Sequence, residues 1–565
     1  MQLSDIGNSI RSGRRLRRPW CVSGLIGALL FFTLALWAQQ ENDARVTQIP
    51  SGPYRIAGTV VNAKTGSPLA RARVTIDDTK QRQSVQSTIT GDDGRYEFHV
   101  PSGKYSLGGA KRGFVTASYN QHDQYSTAIV TASDLDTESL VLRLQPNAVL
   151  SGRVFDEFQE PVRNAQVMLY YEDNSQGVTR ITRAGNAMTN DGGRYEITPL
   201  RPGTYFVAVK ATPWYAVHPE SGGDGSEPPS NVDGALDVAY PITYYGDTME
   251  TESAIPIPVR GGDHLEADVH LTPVPALHFL ILAPREQSTG VVHIPQLQKA
   301  TFDGLEDENP SVRQISDGLF ELSGIPAGRY TVKMPESNGS AREASDVDLT
   351  SGGELDVGSG SLTSTVKIKV QIAGATSLPQ LLWIGLRGTR NQPSTVQVDD
   401  KGEVTLSDVK AGKYDVVARS RTQMAYSVTR IASESGTIAG HTLTVPAAAS
   451  LNLSVTLVGG SVTINGLAKR DGKASAGAMI VLVPKEADAD RSRFRRDQSD
   501  LDGSFTLPNV IPGSYTVVAI DDGWDLNWSE PAVLAPYLAH GQAVEVGDRA
   551  TRSMQLPEAV PVQGK

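Results

Sequence analysis

One phrase occurs five times along this chain and constrains its fold more than any other feature. The first copy reads DGRYEFHVPSGKYSL over residues 93–107, and the last reads DGSFTLPNVIPGSYTVVA over residues 502–519. The three copies between them lie at 192–209, 317–334 and 401–418. In the first copy Tyr96, Phe98 and Val100 alternate with polar residues, which is the period-two pattern of a half-buried strand. The sequence therefore predicts an all-β chain built from repeated units.

Each copy has a strand on either side of a glycine turn, which we interpret as a β-hairpin. A leading glycine precedes the turn glycine by nine or ten residues, and a tyrosine follows the turn glycine by two residues. Glycine accepts the positive φ of a turn, and a tyrosine at a strand start can bury its ring and donate its hydroxyl to the connection. We expect a structural role for the repeat residues Gly94, Gly103, Tyr105, Gly203, Tyr205, Gly328, Tyr330, Gly412, Tyr414, Gly513 and Tyr515.

A second signature lies upstream of most copies. IAGTVVNAKTGSPLARARVTI at 56–76 is echoed by LSGRVFDEFQEPVRNAQVMLY at 150–170 and loosely by VTINGLAKRDGKASAGAMIVLV at 462–483. With the repeated phrase, these segments resemble the carboxypeptidase regulatory-like domain, a transthyretin-like sandwich related to starch-binding-like modules. Residues 54–145 contain its full motif, whereas the second copy has Glu160 in place of one motif glycine. The resemblance implies several tandem copies in a secreted bacterial protein.

The spacing of the repeats predicts about five tandem transthyretin-like or Ig-like sandwich domains after an N-terminal signal or anchor helix. The predicted divisions are 1–38 (signal peptide or membrane anchor), 54–145 (sandwich 1), 148–272 (sandwich 2, with an extended loop at 212–240), 275–345 (sandwich 3), 362–457 (sandwich 4) and 460–556 (sandwich 5). The third and fourth copies keep mainly the repeated phrase, so their membership of the same family stays open.

The N-terminus is typical of a secretory signal. Five arginines between residues 11 and 18 precede an apolar run that ends in small residues, and we expect cleavage after Ala38. The expected location is periplasmic, outer-surface or secreted in a bacterium, and an inner-membrane anchor over residues 20–38 is the alternative. Without residues 1–38 the net charge changes from −11 to −15, which argues against nucleic acid and anionic membranes as partners. The single cysteine, Cys21, lies inside this segment, so the exported part has no disulfide.

No residue pattern predicts catalysis, and we expect no catalytic residue, metal or cofactor. The histidines and glutamate of HLEADVH at 264–270 alternate with apolar residues, so we assign them to the solvent face of a strand rather than to zinc. DQSDLDGSF at 497–505 lacks the bidentate glutamate of a calcium loop, and turns favour Asp and Gly in any case. No nucleophile elbow and no phosphate-binding glycine loop occurs.

Two loops that follow return strands carry aromatic residues beside polar ones. Aromatic rings next to Asp and Asn can stack on a sugar and hydrogen-bond its hydroxyls. The candidate ligand-binding residues are Trp214, Tyr215, Trp524, Asn527 and Trp528. The alternative is that these side chains cap the core or pack one domain on another.

The function predicted from the sequence is that of an exported, non-enzymatic structural or interaction module, in adhesion or scaffolding. Its expected partner is an extracellular or periplasmic protein or glycan, not nucleic acid, with membrane contact only through an uncleaved N-terminal segment. Two alternatives stay open: a carbohydrate-binding protein that uses the loop aromatics, and an accessory or regulatory partner of a separate hydrolase. An adhesin cross-linked by Lys–Asn isopeptide bonds is a further option.

Overall fold

A computed structural model describes residues 49–565 apart from short gaps. The gaps are 81–84, 133–134, 176, 219–233, 283–295, 317–318, 336–340, 356–363, 374–377, 380, 389–393, 410, 422–425, 434–435, 440–441, 447–448, 460–461, 486–492 and 548–552. The predicted signal or anchor at 1–38 lies outside the described residues. Among the residues described, no helix combines the length and the apolar character needed to span a membrane.

The prediction of an all-β chain of about five sandwiches is confirmed. The described residues form strands β1 to β45, one α-helix, α1 (Pro531–Leu538), and two short 3-10 turns, Gly234–Leu236 and Thr251–Ser253. Alternating apolar residues and frequent glycine and proline favour short strands over helices in these segments.

The first two sandwiches each contain two facing sheets. The strands of the first are β1 (Tyr54–Asn62), β2 (Arg73–Asp78), β3 (Val85–Ile89), β4 (Arg95–Val100), β5 (Lys104–Ala110), β6 (Ala117–Ser118), β7 (Ile129–Val130) and β8 (Leu140–Leu144). One sheet has the order β4-β1-β8, and the other has β3-β2-β5 with β6 and β7 beside β5. The strands of the second are β9 (Ala148–Phe155), β10 (Gln166–Asp173), β11 (Arg180–Met188), β12 (Arg194–Leu200), β13 (Gly203–Lys210), β14 (Val238–Ala239), β15 (Thr243–Tyr244), β16 (Ile257–Val259), β17 (His264–Glu266) and β18 (Val269–His270). Here β9 pairs with β12, β17 and β18, and β13 pairs with β10, β15 and β16.

The third and fourth sandwiches repeat this plan. The strands of the third are β19 (Val274–Pro275), which pairs with β14, then β20 (Leu277–Leu282), β21 (Gln296–Ala300), β22 (Leu305–Asp307), β23 (Ser311–Ser316), β24 (Leu319–Ile325), β25 (Gly328–Pro335), β26 (Ala341–Leu349) and β27 (Gly353–Leu355). Its sheets are β23-β24-β20-β27 and β22-β21-β25-β26. The strands of the fourth are β28 (Ser364–Ile372), β29 (Leu382–Arg387), β30 (Ser394–Gln397), β31 (Glu403–Val409), β32 (Gly412–Ser420), β33 (Tyr426–Ser433), β34 (Thr437–Ala439), β35 (Thr442–Val445) and β36 (Ser450–Gly459). Its sheets are β31-β28-β36-β33 and β30-β29-β32-β35-β34.

The fifth sandwich joins its two sheets along one edge. Its strands are β37 (Val462–Arg470), β38 (Lys473–Ala474), β39 (Met479–Pro484), β40 (Arg495–Gln498), β41 (Ser504–Val510), β42 (Gly513–Ile520), β43 (Gln542–Val546), β44 (Ser553–Gln555) and β45 (Val560–Gln563). Strand β37 pairs with β38, β41 and β44, and β42 pairs with β39 and β43. Strand β45 pairs with both β37 and β42 and so connects the two sheets.

The hairpin prediction for the repeated phrase is wrong. Strand β4 pairs with β1, whereas β5 pairs with β2, so the two strands of the phrase lie in opposite sheets. The same separation holds for β12 and β13, β24 and β25, and β31 and β32. In the fifth sandwich β41 pairs with β37 and β42 pairs with β39 and β43, so these strands lie in the two halves that β45 connects. Alternation of apolar and polar residues is the same for two strands of one hairpin and for two strands that face each other across a core. Phe98 and Leu107 both lie in the first core, so the phrase is a β-arch that closes the sandwich.

The tyrosine after each arch anchors the crossing. The hydroxyls of Tyr105, Tyr205, Tyr330 and Tyr515 donate to the carbonyl four residues earlier, at 3.0, 2.9, 2.7 and 2.8 Å respectively. Each of these side chains is 2% exposed. A buried ring with a satisfied hydroxyl fixes the chain where it leaves one sheet for the other. In the fourth sandwich Tyr414 is half-buried and packs against the core.

The leading glycine brings the two sequence signatures into contact. Gly94 has a φ of 71°, and a Cβ built on it would lie 2.8 Å from the carbonyl oxygen of Val60 and 2.9 Å from the Cβ of Pro68. Gly193, with a φ of 66°, has the same relation to Pro161 in the second sandwich. The proline of the upstream turn therefore packs on the glycine of the repeated phrase, which explains why the two signatures occur together.

Candidate functional site

The aromatic loop of the fifth sandwich packs against the first sandwich. Trp524 is 8% exposed, and its ring stacks on that of His122 with the centroids 4.6 Å apart and the planes 8° from parallel. Its Nε1 donates to the carbonyl of Gly477 at 3.3 Å. Tyr125 lies on the same tryptophan, with 6.1 Å between ring centroids. Trp524 therefore packs one sandwich on another, which was the alternative to stacking on a sugar.

A buried arginine holds this aromatic group together. The side chain of Arg496 is 1% exposed, and its Nη2 donates to Asp123 at 2.9 Å. Its guanidinium carbon lies 4.8 Å from the ring centroid of Tyr125, 5.3 Å from that of Trp524 and 4.9 Å from that of Trp528. Nε and Nη1 are buried and have no hydrogen-bond partner among the described residues. Because three ring faces surround the cation, attraction to their π-electrons offsets part of its desolvation.

A second pair of charges lies in the same contact. The Lys104 ammonium of the first sandwich is ion-paired with Asp500 of the fifth, which is 5% exposed. The other oxygen of Asp500 accepts the backbone N–H of Ala128 at 2.8 Å. Burial raises the pKa of Asp500, and the Lys104 ammonium opposes that rise. Burial also raises the pKa of the neighbouring Asp497 to about 6, although the backbone N–H of Thr506 donates to it.

We call this contact the first–fifth interface; it is formed by Lys104 and residues 120–128 of the first sandwich with residues 496–501 and Trp524 of the fifth. Gln498 donates to the carbonyl of Asn120 at 2.6 Å and to Thr127 at 2.9 Å. The backbone of the two sandwiches also pairs directly, since the Leu501 N–H donates to the Ala128 carbonyl at 3.1 Å. Hydrogen-bonded groups up to 378 residues apart in sequence therefore share one network.

Of the remaining candidates of this loop, Asn527 contacts the second sandwich, whereas Trp528 packs within the fifth. Asn527 accepts a hydrogen bond from Thr179 at 2.9 Å, and the N–H of Ser529 donates to the carbonyl of Gly177 at 3.1 Å. Trp528 is half-buried, with its ring 6.3 Å from that of Phe494. The loop 521–531 is thus committed to contacts with two other sandwiches.

Trp214 and Tyr215 are placed differently. Trp214 is 83% exposed, and its ring stands edge-on to Tyr215 with 5.9 Å between centroids. The Tyr215 hydroxyl donates to Glu157, which also accepts the hydroxyl of Tyr240 at 2.9 Å. Burial raises the pKa of Tyr215 to about 12, and the hydrogen bond to the Glu157 carboxylate makes a smaller contribution to this rise. The structure thus separates the five predicted residues, with Trp214 and Tyr215 at one place and the other three at another.

A cleft opens between the second and third sandwiches. Pro213, the residue before Trp214, lines it together with Tyr240 and His218 from the second sandwich. The third sandwich contributes the polar residues Asn309 and Ser323. The lining is mostly polar, in contrast to the aromatic packing of the first–fifth interface.

A chain of histidines and carboxylates supports this cleft and was not predicted from the sequence. His218 Nδ1 is 2.9 Å from Asp237 Oδ1, and the other oxygen of Asp237 is 2.6 Å from His278 Nε2. His278 Nδ1 lies 3.2 Å from Glu321. These residues come from both sandwiches, and the sequence shows the two histidines only as isolated residues 60 positions apart, so no spacing signalled their association.

The third sandwich is also fixed to the second by segment 302–308. Phe302 inserts between the rings of Tyr170, Phe206 and Tyr244, at centroid distances of 5.2, 5.0 and 5.2 Å respectively. Glu308 lies 3.6 Å from the ammonium of Lys210, and burial raises the pKa of Glu308. The ion pair of Arg183 and Glu306, at 2.9 Å, reinforces the same contact.

The two segments weighed as metal sites have structural partners. His264 and Glu266 are exposed, and His270 Nδ1 lies 3.1 Å from Asp247. In 497–505, Asp500 is paired with Lys104 as described above. Within the described ranges, no three His, Cys, Asp or Glu side chains are grouped so that they could hold a metal ion.

Solved structures offer distant likenesses. The Bacillus anthracis TIE protein is 11% identical, with 76% of this chain and 78% of that chain covered and a TM-score of 0.17. A streptococcal ancillary pilin is 12% identical, with 54% and 98% covered and a TM-score of 0.18. GBS52, the minor pilin of Streptococcus agalactiae, is 14% identical, with 40% and 97% covered and a TM-score of 0.21. With TM-scores of this size the whole chains do not superpose.

The sequence comparison is more specific. No curated protein matches the chain. Two segments match the sequence profile of the carboxypeptidase regulatory-like domain, and they coincide with the sandwiches in which the leading glycine contacts the upstream proline. The resemblance drawn from the motifs is therefore confirmed: residues 55–143 and 149–220 are two carboxypeptidase regulatory-like domains in tandem.

Proposed function

We propose that this chain is an exported, non-enzymatic scaffold that holds its sandwiches in fixed relation to one another and presents their surfaces to a partner. The first–fifth interface carries the proposal. Its buried charges, Arg496 and Asp500, have their charged partners on the other sandwich. A buried charge that loses its partner is strongly destabilising, so the two sandwiches stabilise each other.

The contacts of the second sandwich support the same function. It meets the third through Phe302 and the Lys210–Glu308 pair, and it meets the fifth through Thr179 and Ser529. Modules that work as a flexible string are joined by exposed linkers with few contacts across them. Here the described residues between modules include buried aromatic and charged side chains, which suit a rigid support.

Export, a location on the bacterial surface or in the periplasm, and a role in adhesion or scaffolding belong to this proposal. The arginine-rich N-terminus with its apolar run supports export. The absence of catalytic sequence patterns supports a non-enzymatic role. Cell fractionation that finds the protein in the cytoplasm would contradict export, and peptidase activity abolished by a chelator would contradict the non-enzymatic role.

The scaffold is tested by a distance distribution between the first and fifth sandwiches. Spin labels at Ser139→Cys and Lys473→Cys, both exposed positions, report this distance by pulsed electron resonance in a Cys21→Ser background. A narrow distribution is expected, and Asp500→Ala should broaden it because Lys104 and the Ala128 N–H lose their acceptor. A broad distribution in the chain without Asp500→Ala would refute a rigid scaffold.

A second candidate function, carbohydrate binding, is favoured by Trp214. Trp214 is 83% exposed, so the face of its ring is open to a sugar, and its loop neighbours include polar residues that could hydrogen-bond the hydroxyls. A glycan array with the full chain tests it: a bound glycan that is released by Trp214→Ala supports this function, and binding that survives the substitution argues against it.

A further inference from the structure

The cleft between the second and third sandwiches is lined by residues of both domains. Pro213 lines it, and the next residue in the chain, Trp214, is 83% exposed. Its walls come from two sandwiches that Phe302 and the Lys210–Glu308 pair hold together. A cleft between two domains is a common location for small-ligand sites.

The lining consists largely of polar side chains, some of which are held in place by packing or hydrogen bonds. Asn309 offers an amide with two donors and an acceptor, while Ser311 and Ser323 offer hydroxyls that serve as both. Ser323 is only 6% exposed, so its position is fixed by packing. His218 directs Nδ1 to Asp237, which leaves its Nε2 on the side of Gly324, another residue of the lining. Hydrogen-bond donors and acceptors thus line the same cleft.

The charges of the cleft are balanced. Lys210 is ion-paired with Glu308 at 3.6 Å, and His218 Nδ1 lies within hydrogen-bond distance of Asp237, at 2.9 Å. An anionic ligand would meet no unpaired lysine or arginine among the lining residues, and a cationic ligand would compete with Lys210 for Glu308. Balanced charge with many hydroxyl and amide groups favours a neutral ligand that both donates and accepts hydrogen bonds.

The exposed tryptophan that follows Pro213 in the chain restricts the chemistry of the ligand further. Tyr215 contacts Trp214 edge-on and is itself fixed through Glu157, which also holds Tyr240. The tryptophan is thereby supported at one side while most of its surface stays open to solvent. A ring of this kind suits the apolar face of a pyranose, whose hydroxyls point outward to polar groups.

From these contacts we propose that the cleft binds a neutral sugar residue of a glycan, with Trp214 stacked on the sugar and Asn309, Ser311 and Ser323 as hydrogen-bonding groups. The inference rests on the second candidate function, carbohydrate binding through Trp214. It extends that function because it assigns part of the binding to residues of the third sandwich. The site is complete only when both sandwiches are present.

The test compares variants of the full chain on immobilised oligosaccharides, in one set neutral (glucan, mannan and xylan fragments) and in another acidic (uronate and sialylated glycans). Binding to a neutral set is expected. Trp214→Ala and Asn309→Ala should each weaken it by about tenfold or more, the change expected when a stacking contact or an oriented hydrogen-bond group is lost. Phe158→Ala is the matched control, because Phe158 is an aromatic residue 73% exposed on the same sandwich and outside the lining.

The outcomes separate the inference from the function on which it rests. Weakening by Trp214→Ala alone, with Asn309→Ala unchanged and folded by circular dichroism, would keep the carbohydrate function and overturn the cleft. Binding confined to acidic glycans, or equal weakening by Phe158→Ala, would also overturn it. Absence of binding to every glycan would overturn both, and it would leave the scaffold proposal to the distance measurement.

Discussion

The leading glycine of the repeat allows a test of why two sequence signatures occur together. Gly94 and Gly66 lie in the same sandwich with nearly equal φ values of 71° and 72°. A Cβ on Gly66 would meet nothing within 4 Å, whereas a Cβ on Gly94 would lie 2.8 Å from the Val60 carbonyl oxygen and 2.9 Å from Pro68 Cβ. The two substitutions to alanine therefore differ in packing and hardly at all in backbone conformation.

The expected magnitudes follow from this difference. Left-handed backbone costs a non-glycine residue about 1–2 kcal/mol, so Gly66→Ala should lower the free energy of unfolding of the first sandwich by about that amount. Gly94→Ala adds a clash with backbone atoms that cannot rotate away, at a further cost of about 1–3 kcal/mol. Effects on the unfolded chain are the same for both variants and cancel in the comparison.

The assay is amide hydrogen exchange read by peptide-resolved mass spectrometry, because a chain of several sandwiches does not unfold in one two-state step. Peptides that cover β1 and β4 should exchange faster in Gly94→Ala than in Gly66→Ala, by about tenfold for each 1.4 kcal/mol of difference. Equal exchange in the two variants would refute the close approach of Gly94 to Pro68 and would leave only a requirement for positive φ.

Three further predictions concern the arches and the first–fifth interface. Tyr515→Phe should destabilise the fifth sandwich by about 1 kcal/mol, because the Tyr515 hydroxyl donates to the Ile511 carbonyl at 2.8 Å. The loss of stability is measured by amide exchange at increasing denaturant concentration. Tyr54→Phe, which lies outside any arch, is the control. Asp497 has a pKa raised by burial to about 6, above its unfolded value near 3.9, so its contribution to stability is present below about pH 4 and is lost as the pH rises through about 6. After correction for intrinsic rates, amide exchange in β40 should therefore be slower at pH 4.5 than at pH 7.5. This difference should be larger in the unsubstituted chain than in Asp497→Asn. An equal pH dependence in both would contradict a raised pKa of Asp497. Lys104→Met should speed exchange at Ala128 and Leu501, because Asp500 then lacks its cation; protection equal to that of the unsubstituted chain would show that the ion pair does not hold the interface.

The sequence predicted the class of fold because a strand with one buried face is encoded by neighbouring residues. Alternating Tyr96, Phe98 and Val100 specify a strand with one buried face wherever that strand pairs, and the recurrence of the phrase gives the number of units. The choice of partner strand is not local. Leu107 has the same alternation whether β5 turns back on β4 or crosses to β2, so the hairpin and the arch could not be separated from one copy of the phrase.

The contacts between sandwiches were beyond the sequence for a related reason. Trp524 and the loop around it were identified as unusual, but their partners His122 and Tyr125 lie about 400 residues earlier in the chain. Arg496 stands among several other arginines and has no local mark of its burial under three rings. Trp214 was predicted as a binding residue from its place in a loop beside polar residues, and the polar cleft that Pro213 lines became visible only through residues of the next sandwich.

The pairing of the first strand of each sandwich has a mechanical consequence. In all five sandwiches the first strand of the core sheets, which in the third is the strand after the short β19, lies parallel to a strand near the end. The pairs are β1 and β8, β9 and β17, β20 and β27, β28 and β36, and β37 and β44. A pull on the two ends of such a sandwich drives these neighbours in opposite directions along their own length. The hydrogen bonds of the ladder are then loaded together in shear rather than opened one after another. Each sandwich is therefore built to resist tension along the chain.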